Sequence, residues 1–86
     1  MDANHVEIVN GLRKAGFSVL PLTIGRGAPD LLVGSPNRNV LMEIKSGNHK
    51  LNQQQIAWHE NWAGLVYVVR SLEDALTVMR AKMRKR

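Results

Sequence analysis

The sequence predicts an α/β fold, and three observations carry that prediction. Apolar residues recur at helical spacing near both ends of the chain, a hairpin pattern occupies its middle, and a well-marked helix then leads into a further apolar run. A strand, a helix and a strand in succession form a βαβ unit, which needs a parallel, right-handed crossover. The expected order is therefore α-β-β-β-α-β-α, a mixed central sheet flanked by helices, as one domain spanning residues 1–86.

The first helix is expected from about Asn4 to Ala15, where Val6, Val9 and Leu12 form a stripe that Ile8 and Ala15 widen, and Gly16 stands where a helix commonly stops. Phe17 to Leu22 reads as a short strand, and Pro21, which has no N–H for a sheet ladder, places it at an edge or a strand end. Thr23 to Pro29 reads as a loop. Leu31, Leu32 and Val33 form the second strand, Ser35 to Asn39 a turn by composition, and Val40 to Lys45 the third strand.

The next helix has a clear start: Asn52 can cap it, Gln55 follows three residues later, and Leu51 and Ile56 flank both as a hydrophobic staple. It is expected to reach about Ala63, with Gly64 closing it. Leu65 to Val69, an unbroken apolar run, reads as a buried strand. Ser71 then caps a last helix whose apolar face is Leu72, Ala75, Leu76, Met79 and Met83, and from about residue 80 the chain becomes a basic tail ending in Arg84, Lys85 and Arg86.

Composition narrows the function. A chain of 86 residues is near the lower size limit for folding alone and has no cysteine for disulfides, so a subunit partner is a reasonable expectation. The lack of cysteine also excludes thiolate metal sites. No apolar run approaches the roughly 20 residues of a membrane span, and the N-terminus lacks the features of a signal peptide. An intracellular, cytoplasmic protein is expected. A net charge of +5, from 12 Lys and Arg against 7 Asp and Glu, favours a polyanionic partner.

The chemistry is expected at the hairpin. Alternation along the third strand puts Glu43 and Lys45 on one face, about 7 Å apart at roughly 3.4 Å per residue. A turn centred on Pro36, Asn37 and Arg38 brings Asp30 opposite that end of the strand. Two neighbouring carboxylates repel unless a cation sits between them, and Mg²⁺ or Mn²⁺ with oxygen ligands solves the problem. The same pieces, taken singly, are also ordinary surface decoration and an ordinary turn. The histidines at 5, 49 and 59 have no metal-ligand spacing, and Trp58 and Trp62, four residues apart, share a helix face suited to packing.

These residues resemble a known family. Pro29-Asp30 followed by Glu43-Ile44-Lys45 is similar to the PD-(D/E)xK nuclease signature. Gly27 to Gly34, continuing to Leu41 to Gly47, resembles more narrowly the VRR-NUC branch, as do Leu51-Asn52 through Gln55 with Trp58-His59, and Val68 to Ser71. The V-R-R of the family's name is not literally present. The resemblance extends from Glu7 to Leu76 and implies a small restriction-endonuclease-like domain, phage-like in being a stand-alone member.

It implies Asp30, Glu43 and Lys45 as catalytic residues, with metal held by Asp30, Glu43 and the backbone carbonyl of Ile44. It maps a further metal-binding glutamate onto Glu7, which the sequence alone leaves equally suited to solvent. It maps a catalytic glutamine onto Gln55, a residue that also fits the capping box, where it would be unable to reach the metal at the same time. Arg26, Gly27, His49 and Lys50 flank this centre and are candidates for DNA contact, whereas the basic tail reads either as a DNA-contacting arm or as a solvated helix end.

The expected activity is metal-dependent hydrolysis of DNA phosphodiesters by a structure-selective endonuclease. Stand-alone relatives resemble resolvases of four-way (Holliday) junctions, whose near two-fold symmetry suits a homodimer. The alternatives are a flap, nicking or exonuclease activity of the same family, or a basic nucleic-acid-binding module without chemistry.

Overall fold

The structure is a computed structural model that describes residues 3–81. The elements are α1 (Ala3–Lys14), β1 (Ser18–Pro21), β2 (Leu31–Gly34), β3 (Asn39–Ile44), α2 (Gln53–Asn61), β4 (Val66–Val69) and α3 (Leu72–Arg80), in the predicted α-β-β-β-α-β-α order. The sheet order is β1-β2-β3-β4. The first two pairings are antiparallel and β3 with β4 is parallel, so the crossover through α2 is the βαβ unit expected from the sequence. Met83 and the basic residues Lys82, Arg84, Lys85 and Arg86 lie outside the described residues. Among the described residues no helix is long and apolar enough to cross a membrane.

One face of the sheet carries the core. Ile8, Val9 and Leu12 of α1 and Ala75 and Met79 of α3 close over Leu31, Val33, Val40, Met42 and Val69. The α1 stripe ends at Gly16, whose φ of 98° is the left-handed conformation that lets the chain turn back, and Phe17 N–H then bonds Leu12 O at 3.1 Å. In α3, Ser71 accepts from Asp74 N–H at 3.0 Å and Asp74 accepts from Arg70 N–H at 2.9 Å, so both sides of the helix start are satisfied. Arg38, in the β2–β3 turn, donates to the carbonyls of Val78 and Ala81 and ties that turn to the end of α3.

The opposite face is only partly covered, by α2, none of whose residues is fully buried. Leu22, Ile24, Pro29, Leu32, Leu41, Trp58, Trp62 and Leu65 line an apolar groove of about 430 Å³ between that helix and the sheet. This incomplete second layer corrects one expectation: β4 is an edge strand, Tyr67 is exposed, and only Val69 is buried. A second correction concerns the end of α2. The helix stops at Asn61, with Trp62 already extended (φ −84°, ψ 120°), two residues before the expected limit. Gly64 has no left-handed conformation to contribute. A Cβ there would lie 2.9 Å from Trp62 Nε1, so the glycine makes room for the indole, which stacks on Trp58 at 4.8 Å between centroids.

A candidate metal and catalytic centre

The β2–β3 register pairs Leu31 with Met42, which places Asp30, one residue before β2, beside Glu43. Asp30 is fixed there by both its backbone and its side chain. Its N–H donates to Met42 O at 3.0 Å, its carbonyl accepts from Leu22 N–H at 2.8 Å, and its Oδ2 accepts from Ile44 N–H at 2.7 Å. A carboxylate bound to the backbone of the neighbouring strand has little freedom to swing away.

Glu43 is only 3% exposed, although it lies on the sheet face away from the core. The cover comes from α2. Gln55 Nε2 donates to Glu43 Oε2 at 3.4 Å, while Glu43 Oε1 faces His59 Nε2 at 3.9 Å. Burial pushes the Glu43 carboxyl up to about 8 from an ordinary 4.5; the hydrogen bond to Asp30 and the Asp30 charge push the same way, and the Lys45 ammonium opposes them. Near neutrality Glu43 thus favours its protonated form. Burial also holds His59 below its ordinary value, so its imidazole is neutral. Lys45, half-buried just past the end of β3, keeps its backbone in the sheet through a 3.0 Å bond from its N–H to Val69 O.

Gln55 caps α2, as its place in the box predicts, and still reaches the side chain of Glu43. Its Oε1 accepts from Asn52 N–H at 3.0 Å, its own N–H donates to Asn52 Oδ1 at 2.9 Å, and its Nε2 is left over for Glu43. A primary amide has an acceptor at one end and donors at the other, and the cap uses only the acceptor.

Glu7 is not brought to the centre: it is exposed, on the side of α1 away from Ile8, Val9 and Leu12. The residue that α1 offers instead is His5, whose Nε2 lies 3.9 Å from Asp30 Oδ2. Two histidines, one from a helix on each side of the sheet, therefore flank the carboxyl pair. Ligand spacing along the sequence did not reveal them, because each comes from a different element. Asn4, beside His5, donates to Ser46 Oγ at 3.4 Å and to Arg70 O at 3.3 Å, joining α1 to the chain that follows Lys45.

The DNA-contact candidates are spread around this centre. Arg26, at φ 57°, lines a cavity of about 350 Å³ with Gln54, Trp58, Asn61 and Trp62. Gly27 serves packing: its φ is 84°, and a Cβ would meet the Gln54 carbonyl oxygen at 2.5 Å, so only glycine lets this loop lie against the start of α2. His49 and Lys50 are exposed on the segment after Lys45, which Arg70 holds by donating from Nη1 to Gly47 O at 2.9 Å and to His49 O at 2.7 Å. Arg70 belongs to the Val68 to Ser71 segment, but nothing in the sequence marks it as a support of this centre.

The donor set suits a divalent cation. Two acidic side chains are in contact, and the buried atoms Glu43 Oε1 and His59 Nε2 have no hydrogen-bond partner, a rare condition for buried polar atoms. Among the described residues no three His, Cys, Asp or Glu side chains converge as a ready-made metal cage. An ion there would draw its remaining ligands from water and phosphate, the usual habit of Mg²⁺. Comparison with known protein families, with curated proteins and with solved structures finds no match to this chain.

Proposed function

We propose that the chain is a metal-dependent DNA nuclease of the PD-(D/E)xK type, close to the VRR-NUC branch, acting as a homodimer on branched DNA and above all on four-way junctions. The observation that carries this reading is the contact between the Asp30 and Glu43 carboxyls in a buried corner with the Lys45 ammonium close by. Raised to about 8 in that corner, Glu43 holds a proton where a cation would otherwise offset its charge.

A bound Mg²⁺ or Mn²⁺ supplies an activated water and neutralises charge on the phosphoryl oxygens. Asp30 and Glu43 bind it, with the Ile44 carbonyl by family analogy, and Lys45 orients the attacking water or offsets charge developing on the phosphate. Gln55 holds one oxygen of Glu43 and so sets the direction of the other. The family resemblance implies products with 5′-phosphate and 3′-hydroxyl ends.

A net charge of +5 supports a DNA substrate, and Arg26 and Lys50 are exposed around the centre to meet its phosphates. Two features support a dimer: the symmetry of the junction, and the exposure of Leu20, Ile24 and Trp62 around the thinly covered sheet face. Such a protein works in the cytoplasm, on host or phage DNA. The test is cleavage of a labelled four-way junction with Mg²⁺ or Mn²⁺, beside linear duplex and Asp30→Ala. Paired symmetric nicks, absent from the variant, are expected. Metal-dependent cutting of every substrate would remove the junction preference, and binding without cutting under either ion would leave a non-catalytic binding module.

A further inference from the structure

We propose that His59 is a nitrogen ligand to the divalent ion held on Glu43, so that the centre takes a first-row transition ion in preference to Mg²⁺. The inference rests on the metal-dependent reading above and goes beyond it, because the ligands expected so far are all oxygens.

The geometry is the starting point. Glu43 Oε1 and His59 Nε2 face each other at 3.9 Å, and both are buried without a hydrogen-bond partner. That separation is too long for a hydrogen bond, which spans about 2.7–3.2 Å. It is within reach of two ligands of one ion: with bonds of about 2.1 Å, two donors stand about 3.0–3.4 Å apart at octahedral or tetrahedral angles and at most about 4.2 Å, so a side-chain shift of under about 1 Å brings both onto one ion. An ion between them satisfies both orphaned atoms at once.

Both atoms are also aimed. Gln55, locked by the Asn52 cap, takes Glu43 Oε2 and leaves Oε1 to point at His59. His59 sits four residues after Gln55, one helical turn on and over the same strand end. The Trp58 ring meets its imidazole edge-on at 6.3 Å between centroids. The side chain is 14% exposed while Nε2 itself is buried, so the pair of atoms lies just beneath the surface.

The nitrogen decides the selectivity. Mg²⁺ is a hard ion that keeps oxygen ligands and near-ideal octahedral geometry. Imidazole suits first-row transition ions, whose affinity rises from Mn²⁺ towards Co²⁺ and Ni²⁺. Mn²⁺ is the weakest of that series and is therefore the most demanding probe.

The experiment is calorimetric titration of the full chain with Mn²⁺ and with Mg²⁺, together with electron spin-echo modulation of the Mn²⁺-loaded protein, which reports a directly bound ¹⁴N. Mn²⁺ is expected to bind at least about tenfold tighter than Mg²⁺, with a ¹⁴N signal, since losing even a group that only supports a metal ligand typically costs tenfold or more. His59→Phe should lose the ¹⁴N signal and the Mn²⁺ advantage while keeping its Mg²⁺ affinity. A chain carrying His5→Gln and His49→Gln, in which His59 is the only histidine left of three, should keep the signal; it serves as the test should His59→Phe fail to fold. Bound Mn²⁺ without a ¹⁴N signal, or a signal that survives in His59→Phe, would overturn the proposal and leave the nuclease reading standing. Failure of both ions to bind, or Mn²⁺ binding unaffected by Asp30→Ala, would instead strike the metal-dependent reading itself.

Discussion

Replacing Glu43 by glutamine should stabilise the metal-free protein at alkaline pH. In the unfolded chain the carboxyl loses its proton near an ordinary 4.5, whereas in the folded protein it holds it up to about 8. Between those values the unfolded form binds fewer protons than the folded one, so stability falls as pH rises through this window and levels off above it. At about 1.4 kcal/mol per pH unit the interval from 4.5 to about 8 has an upper bound of about 5 kcal/mol. Water entry and side-chain movement soften such penalties, and about 2–3 kcal/mol is the working figure. For a domain of this size that is roughly 10–20 °C in Tm.

Glutamine keeps an acceptor for Gln55 and gains an N–H for the Asp30 carboxylate, so it mimics the protonated acid without titrating. His59, held low by burial, contributes the opposite slope below its ordinary 6.5, where the unfolded form takes up the extra proton. That contribution is common to both proteins, so the diagnostic quantity is the difference between them. Thermal unfolding in EDTA at pH 5, 7 and 9 should show the natural protein losing stability relative to Glu43→Gln as pH rises. Saturating Mn²⁺ at pH 8 should restore it, by about 2.7 kcal/mol at one hundred times Kd, and should do nothing for the variant. A constant difference from pH 5 to pH 9 would refute the account of Glu43 as a buried acid awaiting a cation.

Asp30→Ala and Lys45→Ala should each lower junction cleavage by at least about a hundredfold, as loss of a charge-stabilising group does, while gel-shift binding without metal persists; cleavage that survives both would relocate the active site. Gly27→Ala should cost about 2–3 kcal/mol in thermal unfolding, combining left-handed strain with a clash against the Gln54 carbonyl. Gly25→Ala, at φ 79° with nothing within 4 Å, should cost about 1 kcal/mol, and equal losses would show that the close approach is unimportant. Asn52→Ala removes the Oδ1 that caps α2 at Gln55 N–H and should cost about 1 kcal/mol; because the first turn that carries Gln55 then frays, cleavage should fall more than in a control that destabilises α3 equally through Ser71→Ala.

Much of this architecture is local, which is why a single sequence exposes it. The Asn52–Gln55 box, the Ser71 cap and the turn at Gly16 need only residues a few positions apart. The Ser35–Arg38 turn sets the hairpin register and so brings Asp30 beside Glu43, since a strand's register follows from its turn. The misjudged features depend on what covers them. Leu65 to Val69 has the composition of a buried strand, yet β4 lies at an edge under a thin second layer. The end of α2 is set by Trp62 leaving the helix to stack on Trp58, a choice that Gly64 permits and does not itself make.

By itself, then, the sequence determined the order of the elements, the hairpin that pairs the two acids, and the strand that carries the lysine, because periodicity, capping and turn chemistry act over short distances. Tertiary structure alone decided which helix faces reach that pair. The rotation of α1 about its axis presents His5 to Asp30 and sends Glu7 to solvent, and the docking of α2 sets His59 against Glu43 while Gln55 serves both cap and carboxylate. Those outcomes depend on how two helices pack on opposite faces of the sheet, and no spacing along the chain encodes that contact.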